Sequence, residues 1–156
     1  MSDAMRTLEA AVLAEIPLAR AMQLRLRDYT GDGLTIAAPL APNINDKGCA
    51  FGGSLVSLLT LAGWGLIVLK LRELGSACDV YVQDSAVRYL APVWDDFSAQ
   101  ARLAPGESWE AFASTLAARG RARLSVDCRV PLADGTDACT LQARFVAISK
   151  SRIAAP

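Results

Sequence analysis

The spacing of hydrophobic positions changes several times along the chain, and each change marks an element. Met5, Leu8, Val12 and Ile16 recur at helical spacing, with Ser2 or Asp3 placed to cap the segment and Pro17 to end it. Met22, Leu24 and Leu26 then alternate with Gln23, Arg25 and Arg27, and Thr30-Gly31-Asp32-Gly33 turns the chain back through residues 34–38, which predicts a hairpin. Residues 40–51, which follow Pro39 and include Pro42, carry Asn, Asp and Gly and read as a loop without regular structure. A helix follows from about Gly53 to Leu74, ended by Gly75, and its run 55–69 is apolar on every side. That run is too short to span a bilayer, which takes about 20 apolar residues, so it predicts a helix buried in a soluble fold, with Gly63 and Gly65 marking close packing.

The rest of the pattern is mostly β. Residues 80–90 and 97–103 read as strands separated by Pro92, and Ser108 caps a short helix on Trp109, Phe112, Ala113 and Leu116 that ends at Gly120. From Arg121 to Val130 polar and apolar residues alternate strictly, and the turn Ala133-Asp134-Gly135-Thr136 leads into a last antiparallel strand at 138–148. The order is helix, two strands, long buried helix, then four strands with a small helix inserted, an α+β pattern. Only a curled antiparallel sheet wrapped around the long helix buries all its sides.

Composition narrows the function. A length of 156 residues suits one domain, expected here over 1–156, and 53% hydrophobic with 21% charged residues supplies a core rather than a disordered chain. Lys plus Arg and Asp plus Glu are 16 each, so no net field gathers nucleic acid or a membrane. Histidine is absent, which removes the commonest general base, the Ser-His and Cys-His pairs, and most zinc and iron sites. Cys49, Cys78, Cys128 and Cys139 show no CxxC spacing and the first ten residues lack a secretory signal, so reduced thiols in the cytoplasm are expected, with no metal.

The informative stretch is Asn43-Ile44-Asn45-Asp46-Lys47-Gly48-Cys49-Ala50-Phe51-Gly52-Gly53-Ser54, a polar loop feeding a glycine pair and a helix N-terminus. Such an end offers unpaired backbone N–H groups and a partial positive charge to an oxyanion or a polarised carbonyl, although Gly-Gly before a helix is also an ordinary turn. With the helix that follows, and with the later Tyr89-Leu90-Ala91-Pro92-Val93 and Gly120-Arg121-Ala122-Arg123-Leu124 segments, it resembles the single-domain family related to the C-terminal part of YiiD, among the hotdog-fold acyl-thioester enzymes. The resemblance covers about residues 18–148.

It implies a helix wrapped by a curved antiparallel sheet, a homodimer that can pair further, and active sites at the dimer interface for acyl-CoA or acyl-ACP. The substrate brings its own phosphopantetheine and no other cofactor is implied. Hotdog thioesterases carry His-Gly-Gly where this chain has Phe51-Gly52-Gly53, an Asn six residues earlier, here Asn45, and a catalytic Asp or Glu nine residues later, here Thr60. A neutral Thr in a chain without histidine is poorly suited to deliver water. Decarboxylation of a malonyl thioester needs only a polarised carbonyl and a carboxylate shielded from water. Malonyl-ACP decarboxylase, making acetyl-ACP to start fatty-acid synthesis, is therefore the leading expectation. An acyl-CoA or acyl-ACP thioesterase and a non-catalytic acyl-carrier-binding protein are the alternatives.

The resemblance gives Asn45, Gly53 and Thr60 the catalytic positions, and Phe51, Gly52 and Ser54 the substrate contacts beside them. Asn45 also suits an Asx-turn, and Thr60 a bond back to its own helix. Cys49 lies at a helix start that favours a thiolate, but no proton acceptor is evident for a covalent route. Trp64, Tyr81 and Phe51 suit a core or an acyl-pocket wall. Arg88, Arg121 and Arg123, with Arg119, are either solvated strand faces or a dock for an acidic carrier and its phosphate, and no aromatic series accompanies them for nucleic acid.

Overall fold

The computed structural model describes residues 1–150 of the chain. Ser2 caps α1 (Asp3–Glu15) by accepting the Met5 N–H at 3.3 Å, and Met5, Leu8 and Val12 bury its inner face. Pro17 does not simply stop this helix. It opens a second one, α2 (Pro17–Ala21), because its fixed φ and missing N–H suit a first helical position. The hairpin therefore starts later than the alternation from Met22 suggests, as β1 (Arg25–Tyr29) and β2 (Gly33–Ala38). Met22 and Leu24 are buried where the chain leaves α2, through Gln23 at a φ of 56°.

Residues 40–51 hold more structure than a plain loop, with a 3₁₀ turn at Ala41–Asn43 and a bridge between Ile44 and Ala50. Then come α3 (Gly52–Glu73), β3 (Cys78–Tyr89), β4 (Phe97–Leu103), α4 (Trp109–Arg119), β5 (Arg121–Pro131) and β6 (Asp137–Ser149). Ser108 caps α4 at 3.0 Å and Gly120 closes it at a φ of 68°, a left-handed conformation that suits glycine.

All six strands pair antiparallel in the order β1-β2-β4-β5-β6-β3. The sheet curls around α3, which touches β2, β3, β4, β5 and β6. The expected wrap is thus the architecture observed. α3 has the length and apolarity of a membrane span, longer than the run 55–69 suggests, but Leu58, Leu59, Ala62 and Leu66 are fully buried, which makes it the core helix. Its glycines set how closely it packs. A Cβ at Gly63 would stand 3.0 Å from the Phe145 ring and 3.3 Å from Cys128 Sγ, and one at Gly65 2.9 Å from Leu34 Cδ2.

The two sheet edges differ. β1 carries α1 against it, with the Leu26 N–H donating to Glu9 Oε2 at 2.8 Å. The long strand β3 pairs on one side only, with β6, and Tyr81 and Val82 are about half exposed along it.

Candidate active site

The start of α3 is built by the loop before it. Asn43 is the single buried polar side chain among the described residues. Its amide donates to Met22 O at 3.0 Å and Pro39 O at 2.7 Å, while its backbone oxygen accepts the Phe51 N–H at 2.7 Å. The Ala50 N–H donates to Val93 O at 2.8 Å, so the residues just before the helix are held from both sides. Phe51 takes the N-cap position with no side-chain cap, and the first helical bond runs from the Leu55 N–H to Phe51 O. The amides of Gly52, Gly53 and Ser54 are the helix's unpaired donors. With no acidic side chain in the first turn, they present an uncancelled positive end of the helix dipole.

Two aromatic rings border these amides. A Cβ at Gly53 would lie 2.9 Å from Phe51 Cζ, so only glycine lets that ring fold over the helix start. A Cβ at Gly52 would lie 3.3 Å from Tyr89 Cε1. Phe51, Tyr89, Leu90, Trp94 and Ile44 are all more than half exposed, so the helix start opens onto an apolar rim rather than a sealed core.

The sequence-assigned residues take these places. Asn45 Oδ1 accepts the N–H groups of Lys47 at 2.8 Å and Cys49 at 3.2 Å, an Asx-turn, and its amide faces Cys49 Sγ at 3.2 Å. Thr60 Oγ1 donates to Val56 O at 2.8 Å, the bond back to the helix, and Ser57 Oγ does the same to Gly53 O at 2.7 Å. Ser54 lies half-buried in the first turn. Trp64 Nε1 donates to Val80 O at 3.1 Å, midway along α3 and away from its start. Tyr81, like Phe51, is exposed rather than core.

The arginines do not form one group within the chain. Arg88 stands beside Thr140 on β6 and Arg121 beside Ile148, so at ~3.3 Å per residue roughly 26 Å of strand separates them. Arg123 lies with Arg121 and donates to Gln83 Oε1 at 3.0 Å. The four cysteines are free thiols. Burial pushes Cys128 up to about 12 and Cys139 up to about 11, so neither is a thiolate at neutral pH. Among the described residues no three His, Cys, Asp or Glu side chains gather as metal ligands.

Sequence reasoning missed Asn43 and Tyr89. A buried Asn in a Pro-Asn loop looks like any turn residue, and no local signal shows that the end of β3 lies over the start of α3.

With this geometry, the model of the YiiD C-terminal family, described as "Putative thioesterase", matches residues 5–149. The chain belongs to this family. A protein of unknown function from Chlorobaculum tepidum is 28% identical with a TM-score of 0.87, over 94% of each chain. The protein described as the putative thioesterase of Shewanella oneidensis is also 28% identical, with a TM-score of 0.84 over 95% of this chain and 99% of that one. A Haemophilus influenzae thioesterase, 15% identical with a TM-score of 0.71 over 96% and 93% of the two chains, shares the fold. The fold of this YiiD C-terminal family member is the hotdog.

Proposed function

We propose that this YiiD C-terminal family member acts on acyl thioesters as a malonyl-ACP decarboxylase, releasing CO₂ and leaving acetyl-ACP to start fatty-acid synthesis. The observation that carries the reading is the start of α3. Three unpaired amides face an open rim, while residues 52–60 bring no ionisable side chain to it. Such a site stabilises an oxyanion and has no obvious group to activate water. The thioester oxygen, gaining charge as the enolate forms, sits on the amides of Gly52, Gly53 and Ser54. One such donor contributes on the order of 3 kcal/mol in comparable oxyanion holes.

Asn45 shapes the loop through its Oδ1, and its amide needs only to leave the weak acceptor Cys49 Sγ to reach the substrate. The substrate is a phosphopantetheine thioester of ACP or CoA and no other cofactor takes part. The protein works as a homodimer joined along β3, whose free edge and half-exposed Tyr81 and Val82 otherwise invite indiscriminate pairing. Arg88, Arg121 and Arg123 supply positive charge for the carrier on a surface that two copies share.

Thioester hydrolysis is the second reading, favoured by the description of the family and of the Shewanella relative as thioesterases. Mass spectrometry of malonyl-ACP incubated with the protein separates the two. Acetyl-ACP is the expected product, and free holo-ACP would overturn decarboxylation in favour of hydrolysis. An Asn45→Ala variant of unchanged melting temperature is expected to lose at least tenfold in kcat.

A further inference from the structure

Loss of CO₂ leaves an enolate that must gain a proton on carbon, and most hydrogen-bearing groups at the start of α3 are already engaged. Ser57 and Thr60 donate to carbonyls of their own helix, and Cys49 is buried against the Asn45 amide. Tyr89 is different. It ends β3, held by its pairing with Cys139 and by the Leu90 N–H donating to Ala138 O at 2.8 Å. Its side chain is 58% exposed and its hydroxyl makes no hydrogen bond among the described residues. A Cβ at Gly52 would lie 3.3 Å from Tyr89 Cε1 and 3.8 Å from Cζ, the carbon that bears the hydroxyl. The phenol therefore stands at the rim of the unpaired amides, beside Gly52 as the Phe51 ring is beside Gly53. Among the described residues the Ser54 hydroxyl, in the first turn, is a second O–H there without a hydrogen bond, and a phenol is by far the stronger acid of the two.

We infer that Tyr89 is the general acid that protonates the acetyl enolate, with its ring and that of Phe51 forming the walls of the thioester slot. The inference rests on the decarboxylase reading above. The bond between Cα and the carboxylate carbon breaks, CO₂ leaves, and the electron pair spreads into the thioester as an enolate held by the helix amides. That pair then forms a C–H bond with the phenol proton, giving the acetyl thioester, and the phenolate recovers a proton from water.

Steady-state kinetics on malonyl-ACP with the full chain test this, comparing the parent with Tyr89→Phe and Tyr89→Ala. Tyr89→Phe keeps the ring and removes only an unbonded hydroxyl. Its melting temperature and KM are expected to stay those of the parent while kcat falls about 100-fold, the lower end of what a positioned acid contributes. Tyr89→Ala also removes a wall, so its KM rises as well. A Tyr89→Phe variant within tenfold of the parent kcat overturns the inference and leaves the proton to water. A parent protein that makes no acetyl-ACP overturns the reaction itself, whatever the variants do.

Discussion

Asn43 shows how much one buried amide can position. Its two donated hydrogen bonds tie the chain after α2 and the chain after β2 to the loop whose next turn starts α3. Truncating it leaves the buried Met22 O and the partly buried Pro39 O without that donor, and a buried unsatisfied group costs about 1–3 kcal/mol. An Asn43→Ala variant is therefore expected to melt several degrees lower, as measured by calorimetry. Its backbone oxygen still accepts the Phe51 N–H in the variant, but the segment that carries this oxygen loses its two anchors, so the unpaired amides loosen and kcat falls further than in a core variant of equal stability such as Leu8→Ala.

Burial raises the Cys128 thiol from an ordinary 9.0 to about 12 and that of Cys139 to about 11, so the folded state keeps protons that the unfolded chain loses. The unfolded state binds fewer protons above pH 9, so stability present below that value declines as pH rises toward 12. Melting temperatures measured from pH 8 to 10.5 should fall, and less steeply for Cys128→Ala.

At the scale of elements, the close approach of α3 to the sheet is set by glycines rather than by large residues. A side chain at Gly63 meets the Phe145 ring and Cys128 Sγ together, both in the fully packed core. A Gly63→Val substitution is expected to cost about 1–3 kcal/mol by overpacking. For a chain of this length that is ~2–4 °C in Tm per kcal/mol. Gly75→Ala, where no atom lies within 4 Å but φ is +67°, separates backbone strain from packing and should also destabilise. The helix start depends on elements far apart in sequence. The end of β3 brings Tyr89 to Gly52, and the segment after it brings Val93 O to the Ala50 N–H.

At the scale of the molecule, the sheet ends in a twelve-residue strand paired on one side, with Tyr81 and Val82 half exposed along it, and the proposed homodimer joins there. A proline at Ser85 removes an edge N–H and introduces a ring at mid-strand. If β3 joins two copies, light scattering should find Ser85→Pro shifted from dimer toward monomer, with activity lost in parallel. Arg88 and Arg121 stand at opposite ends of this strand's span, so any surface using both is completed by two copies. Arg121→Glu is then expected to raise KM for the acidic carrier more than for a CoA thioester, read from paired kinetics.

The sequence by itself determined the elements and their wrap, because period and turn chemistry are local. The strict alternation over 121–130 became β5, Ser108 and Gly120 bounded α4, and an all-round apolar helix had to be enclosed by a sheet. It placed the end of α1 before Pro17 but not the start of α2 there, since the same fixed φ that ends one helix suits the first turn of the next. The motif at residues 43–54 also marked the candidate site, because a helix N-terminus after glycines is written in consecutive residues. Only the tertiary structure decided which donors are free there. The Thr60 bond to Val56 and the Asn45 turn are local and stood among the sequence's own alternatives, whereas the ring that lies over Gly52 comes from a contact between distant segments that no spacing encodes.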